Sequence, residues 1–368
     1  MDQAQLVERA KSLIDDLARA PRFAGSDEET VARARCRREL EDAGFTCEEM
    51  PFVYSQWLGL WGPPLVAVVL GILFFGLGAL SLMGYWIGGI FALIVLRAAV
   101  VLNVNPIRRG WILDFPWSRS IAVNLVAKRG QPAVWLMAHL DSKSQTVPML
   151  LRITGSIALQ LAGVLVFLGS FAVVIWGSRM APMIVTAQVL AILGAVGCGL
   201  CFVGNASPGA VDNVSGVAAV ILAAQLRNDG RALGVLITSG EELGLAGALA
   251  WRRSAPGHLV ILNCDTVDDA GRFRCMYNDA QPMRLTVSAE NEAKRLGLDL
   301  RVGRLIPGIM ADSMAFAHDG RWSAITLSRG TLSTLARIHT RGDNSSKLTG
   351  EGAAQAGVLL SAIAREMS

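Results

Sequence analysis

The chain has 368 residues, 52% of them hydrophobic and only 17% charged, and its mean hydropathy is +0.43. That length allows one large domain or two modest ones, while the apolar excess excludes an evenly composed soluble protein. A formal charge of +4, without a basic cluster or an aromatic-basic motif, gives no reason to expect a nucleic-acid partner.

Taken in chain order, apolar residues recur at helical spacing over 6–17. Ser26, followed by Asp27, Glu28 and Glu29, caps a second helix running toward Gly44. A strand is expected near 46–54. Strands over 120–127 and 133–138 follow, separated by a turn at 128–131. After Asp212 the order is helix, strand 233–238, helix 246–254, strand 259–263, helix 288–296, strand 324–327 and a last helix 351–367. Strands alternating with helices predict an α/β fold, a mostly parallel mixed sheet flanked by helices.

Four apolar stretches interrupt this order, at residues 65–83, 87–104, 153–176 and 183–203. Each is roughly 18 to 24 residues long, enough to cross a bilayer, and Trp61, Tyr85, Trp86 and Trp176 flank them. Buried core helices are the alternative, against which length and near absence of charge weigh. Arg97 in the second stretch could snorkel to the interface. Cys198 and Cys201 in the fourth read as helix packing rather than redox chemistry. Very short turns, at 84–86 and 177–182, make two transmembrane hairpins with all the polar chain on one side. Arg108, Arg109, Arg119, Lys128, Arg129, Lys143 and Arg152 lie in the connector between the hairpins, against Arg179 on the far side. That bias puts the polar chain in the cytoplasm of a multi-pass protein of the cell inner membrane. Six cysteines without dense spacing suit a reducing compartment. No signal peptide is expected before the first span, because residues 1–56 are amphipathic and charged. The expected organisation is a domain in three pieces, 1–56, 106–150 and 205–368, with hairpins at 57–105 and 151–204.

Two of the four histidines bracket an acidic series: His139 with Asp141, then Asp212-Asn213, Glu241-Glu242, Asp265 and His339. His139, the Glu-Glu pair and Asp265 each follow an expected strand, where α/β sheets gather ligands. Asp212 alone would be a helix N-cap and an isolated Glu-Glu a solvated turn. Together they suit two divalent ions about 3.5 to 4 Å apart that clamp a hydrolytic water. Imidazole with carboxylate favours zinc. Of two adjacent glutamates, one can ligate while its neighbour takes a proton. Asp141 is close enough in sequence to hold the second nitrogen of His139.

The segments AHLDS at 138–142, GAVDNVSG at 209–216, TSGEELGLAG at 238–247, LNCD at 262–265 and HTRGD at 339–343, with PRFAGSDEE at 21–29, carry a resemblance. They resemble the zinc-dependent aminopeptidase family, which includes glutamate carboxypeptidases and is related to glutaminyl cyclases. The resemblance covers nearly all the polar chain and implies roles residue by residue. His139 and Asp265 would hold one zinc, Glu242 and His339 the other, and Asp212 would bridge. Glu241 would be the general base, Asp141 would orient His139, and Asp343 would support the His339 loop. Two departures stand out. Ala311-Asp312-Ser313 keeps the acid of the family's Ser-Asp-His motif and lacks its histidine. Asp141 and Asp212 are 212 − 141 = 71 residues apart, because the second hairpin is inserted there.

The expected function is therefore hydrolysis of a peptide bond by a membrane-anchored aminopeptidase with two Zn2+. Its partners would be a peptide or peptide-like substrate and the lipid bilayer; nucleic acid is not expected, and nothing indicates an oligomer. A zinc amidohydrolase or cyclase-like enzyme and an inactive membrane scaffold or receptor are the alternatives. Testing aminoacyl against blocked peptides separates the first from a peptidase. Few ionisable groups in the spans argue against transport, and the intact set of site residues argues against the scaffold.

Overall fold

The structure is a computed structural model that describes residues 2–227, 229–306, 308–317 and 320–368. Side chains of residues 100 and 102–108, including Arg108 of the expected cytoplasmic connector, lie outside the described set. In chain order the main elements are α1 (Gln3–Leu17), α2 (Asp27–Asp42), β1 (Thr46–Ser55), α3 (Gln56–Leu82), α4 (Ile87–Arg109), β2 (Arg119–Arg129) and β3 (Val134–His139). Next come α5 (Met149–Trp176), α6 (Ala181–Gly199), α7 (Ser215–Leu226), β4 (Leu233–Thr238), α8 (Ala246–Arg252) and β5 (Val260–Val267). The chain ends with β6 (Arg272–Tyr277), α9 (Met283–Arg295), β7 (Leu300–Arg304), β8 (Ser323–Gly330) and α10 (Glu351–Met367). They form two compact units, one of residues 1–56, 110–144 and 204–368, the other of residues 57–109 and 145–203.

The first unit is built on an eight-stranded sheet in the order β1-β2-β4-β3-β5-β8-β6-β7. Its centre, β4-β3-β5-β8, is parallel. Strands β3 and β4 are buried at every position, so they read as continuous apolar runs rather than alternating ones. Parallel order is confined to that centre and to the β6–β7 edge; β1–β2, β2–β4 and β8–β6 are antiparallel. The sheet is thus the expected mixed one, parallel in four of its seven strand pairs, with the parallel order in the strands that carry the site. Two of the strands, β6 and β7, were not foreseen.

Helix ends in this unit follow local chemistry. Asp2 caps α1 by accepting from Gln5 N, and Ser26 caps α2 by accepting from Glu29 N, ahead of three acids in the first turn. Helix α7 is buried from Ser215 through Ala224. Helix α10 crosses it closely enough that a Cβ on Gly357 would stand 3.0 Å from the Ala219 carbonyl oxygen.

The second unit holds α3 to α6. Small residues sit where these helices cross: a Cβ on Gly71 would lie 2.4 Å from Ala195 Cβ, and one on Gly155 3.0 Å from Cys198 Sγ. Ser81 and Ser170 hydroxyls meet at 2.5 Å; one donates to the other, which donates to the carbonyl four residues earlier on its own helix. Among the described residues two helical stretches are long and apolar enough to cross a membrane: Gln56–Leu82, with hydropathy 2.6, and Met149–Gly199, with hydropathy 2.4. The four expected spans are not matched one for one. Met149–Gly199 contains both α5 and α6, joined by the 3-10 turn Gly177–Met180, and the apolar described part of α4 is the shorter Ile87–Ala99. The sequence of α4 turns polar at Arg97, Asn103 and Asn105.

Candidate metal centre

His139 is the last residue of β3, and its register partner on β4 is Thr238. Beyond Thr238 the chain turns through Gly240, whose φ of +73° favours glycine, and presents Glu241 and Glu242. Asp265 lies inside β5, which runs on to Val267. The expected strand stopped too early, because polar Asn263 and Asp265 hid the ladder from an apolar-run reading. Asp212 precedes α7, and His339 sits in a left-handed backbone conformation, φ 61°. Five segments distant in sequence thus meet near the head of the central strands.

His139 Nε2 faces Asp212 Oδ1 at 3.3 Å, Asp265 Oδ1 at 3.6 Å and Glu241 Oε2 at 3.9 Å. His339 Nε2 faces Asp212 Oδ2 at 3.1 Å and Glu242 Oε2 at 3.2 Å. Two triads result, His139–Asp212–Asp265 and Asp212–Glu242–His339, both buried and each able to hold a metal ion. Asp212 gives one oxygen to each.

The donor atoms fit zinc. Ligands about 2.0–2.1 Å from a tetrahedral ion stand roughly 3.3 Å from one another, and the imidazole-to-carboxylate spacings within both triads, 3.1 to 3.6 Å, scatter around that value. His139 Nε2 and Glu242 Oε1 are buried with no hydrogen-bond partner, a costly arrangement unless something else satisfies them. The proton balance agrees. Burial opposes charge on both imidazoles, yet Glu241 around His139 and Glu242 around His339 hold their pKa values above the ordinary range. Burial would likewise raise Asp212, but the two imidazoles outweigh it and hold its carboxyl well below the usual carboxylate range. The carboxylates that favour positive charge on these nitrogens would equally favour a divalent ion between them.

Glu241 is different. Burial pushes its carboxyl well above the usual range and Asp265, Glu242 and Asp312 add to the shift, against His139. Nearby, Asp312 is pushed up to about 7, chiefly by burial; Thr238 Oγ1 donates to its Oδ2. Ser313, where the histidine of the Ser-Asp-His motif is missing, turns inward and shares a 2.6 Å hydrogen bond with Thr326.

Asp141 and Asp343 each hold a pair of backbone N–H groups beside the site. The second nitrogen of His139, Nδ1, meets the main-chain oxygen of Asp141 at 3.1 Å and its carboxylate only at 3.6 Å. The carboxylate instead accepts the backbone N–H groups of Glu241 at 3.2 Å and Glu242 at 3.1 Å, so it aims the Glu-Glu pair. Asp343, in the His339 segment, ties that segment to the Asp212 turn: its side chain accepts from Val211 N at 2.8 Å and Asp212 N at 3.1 Å. In both cases two adjacent N–H groups offer two parallel donors, and a carboxylate has two oxygens to match.

Other supporting residues carried little local signal. Buried Asn213 accepts from Gly216 N and Thr266 N, each at 3.1 Å, and donates to the Cys264 carbonyl at 2.9 Å. Gly216 is required there, since a Cβ would stand 2.2 Å from Asn213 Oδ1. Arg22, in the PRFAGS segment, is buried and donates to the carbonyls of Leu17, Leu140, Pro208 and Gly209, fastening the turns around His139 and Asp212. Lys143 reaches Glu242, and its place directly after the AHLDS segment was the signal that could have found it.

A paired imidazole–carboxylate site over a parallel sheet core defines a metal-binding α/β protein. The model of peptidase family M28 matches residues 120–364, and the chain belongs to that family. Among solved structures it is similar in fold to an aminopeptidase from Aneurinibacillus sp. strain AM-1, at 13% identity and a TM-score of 0.58, covering 97% of this chain and 92% of that one. It is similar to BSAP, a zinc aminopeptidase from Bacillus subtilis, at 14% identity and a TM-score of 0.57, covering 98% and 95%. It is also similar to a glutaminyl cyclase from Fimbriiglobus ruber, at 13% identity and a TM-score of 0.52, covering 99% and 95%. No curated protein matches it by sequence. Family membership together with these fold matches supports a zinc-dependent peptidase.

Proposed function

We propose that the chain is a membrane-anchored di-zinc aminopeptidase. The observation that carries this reading is Asp212, whose two oxygens face two buried imidazoles in two separate triads. His139, Asp212 and Asp265 would hold one Zn2+, and Asp212, Glu242 and His339 the other. Bound there, zinc supplies Lewis acidity toward a peptide carbonyl and toward water.

The rest falls to the chain's own groups. Glu241 takes the proton of the attacking water and returns it to the leaving amine, a role suited to a carboxyl whose affinity for protons is raised. Asp141 keeps both glutamates aimed through their backbone N–H groups. Asn213 and Asp343 fix the Asp212 turn. Burial of every one of these side chains excludes competing water.

The membrane part of the reading rests on surface chemistry. Helix α3 exposes Leu65, Val69, Ile72, Leu73 and Phe75, and α5 exposes Leu161, Leu168, Val174 and Ile175, more apolar surface than a water-facing helix carries. All four helices would lie in the bilayer as two hairpins, with the peptidase unit in the cytoplasm.

Glu241→Gln tests the chemistry: detergent-purified variant should retain its zinc and lose at least about 10² of the rate, the scale of a lost general base. Normal turnover would overturn the assignment. Hydrolysis of aminoacyl substrates with N-blocked peptides spared supports an aminopeptidase; cyclisation of N-terminal glutamine without hydrolysis would favour the cyclase reading instead.

A further inference from the structure

Lys143 has no part in the scheme above, yet it is only 6% exposed and touches a proposed ligand twice. Its Nζ lies 2.9 Å from Glu242 Oε2 and donates to the Glu242 main-chain oxygen at 2.8 Å. The same Oε2 is the atom that faces His339 Nε2 at 3.2 Å. One carboxylate oxygen is therefore shared between an ammonium and the second triad, while Glu242 Oε1 has no protein partner.

Two opposite consequences are conceivable. Neighbours that strengthen a metal site are typically acceptors, such as a carbonyl or carboxylate behind an imidazole, which make the ligand more basic. A fixed cation does the reverse: it draws on the charge of the carboxylate and repels the incoming ion. The other triad has no such neighbour among the described residues. Around His139 Nε2 stand Asp212, Asp265 and Glu241, three carboxylates within 3.9 Å. Counting the proposed carboxylate ligands alone, Asp212 and Asp265 give −1 − 1 = −2 on that side. On the His339 side Asp212, Glu242 and Lys143 give −1 − 1 + 1 = −1.

Resting on the di-zinc reading, we infer that Lys143 is a positioning residue that holds the Glu242–His339 site at a lower zinc affinity than the His139–Asp265 site, so that the two ions load in order. It leaves Glu242 a single unpartnered oxygen to offer, and it opposes the second ion with its own charge. The protein then has a stable one-ion state and an exchangeable second ion.

The test uses the full chain in detergent, stripped of metal and titrated with Zn2+ against a chromophoric chelator, with a thermal melt as the check on folding. Wild type should bind in two steps separated by about tenfold or more. Lys143→Met, similar in length and uncharged, should leave the tight step in place and tighten the weak one by about 10-fold to 100-fold, the range over which neighbours of ligands act. Lys143→Arg should keep the wild-type separation, and Glu242→Gln should lose the weak step. If Lys143→Met does not melt cooperatively, Lys143→Gln is read in its place. A weak step unchanged or further weakened in the neutral variant overturns the role of Lys143 alone. No zinc bound by wild type overturns the di-zinc reading as well.

Discussion

Replacing Asn213 by Ala removes no proposed ligand, yet it should damage the site more than its distance from the chemistry suggests. Asn213 is fully buried, and its side chain satisfies the N–H groups of Gly216 and Thr266 and the carbonyl of Cys264. Thr266 and Cys264 flank Asp265, and Asn213 follows Asp212, so this one amide joins the turns of two ligands. Alanine leaves two buried polar groups and one half-buried one without partners, at about 1–3 kcal/mol each. Some relaxation will recover part of that, so a loss of about 3–6 kcal/mol is expected. At about 2 °C per kcal/mol for a domain of this size, the melting temperature should fall by about 6–12 °C. Differential scanning fluorimetry of the detergent-purified protein reads that shift, and zinc titration on the same sample should show weaker binding. A melting temperature within 2 °C of wild type (about 1 kcal/mol) with unchanged zinc affinity would refute the reasoning.

Two more outcomes follow from other parts of the chain. Burial, helped by the charge of Asp141, pushes the Glu29 carboxyl from its ordinary 4.5 up to about 8. A raised acid stabilises the fold fully below its unfolded value, and that contribution is lost as pH rises through the folded one. The melting temperature of wild type minus that of Glu29→Gln should therefore fall between pH 5 and pH 9, and a flat difference would count against a buried carboxyl there. In the helical unit, Gly71→Leu would force a Cβ to within 2.4 Å of Ala195 Cβ, an overpacking worth about 1–3 kcal/mol. Fluorimetry should show a lower melting temperature for it, whereas Gly76→Leu, which has open space around it, should melt like wild type.

How much of this was legible in the sequence depends on how local the signal was. Helix α10, strand β4 and the N-cap at Ser26 come from patterns a few residues long, and they fall within or near the expected bounds, whereas Asp212 does not cap α7, which follows Val214 with no side-chain cap. The proposed ligands were legible because each stands in a short polar motif, and His139, Glu242 and Asp265 lie in or just after apolar strands. Strands β6 and β7 were not, since Arg272, Arg274, Arg301 and Arg304 make them look like solvent-facing turns; their pairing with β8 and with each other supplies the order. Contacts that depend on where a loop returns were also hidden. Nothing in the string says that Asp141 aims the Glu-Glu pair, that Asp343 caps the Asp212 turn, or that Lys143 reaches Glu242, because each contact spans about a hundred residues. Membrane insertion lay between these cases: length and hydropathy mark α3 and the α5–α6 stretch, but do not divide the apolar chain into four equal spans.

The central claim is that one carboxylate serves two ions. Zinc content of detergent-purified Asp212→Asn, set beside Asp265→Asn and Glu242→Gln, tests it most directly. The account predicts that Asp212→Asn loses both zincs, whereas each of the others keeps one. Asp212→Asn protein that melts cooperatively and retains two zincs would contradict it.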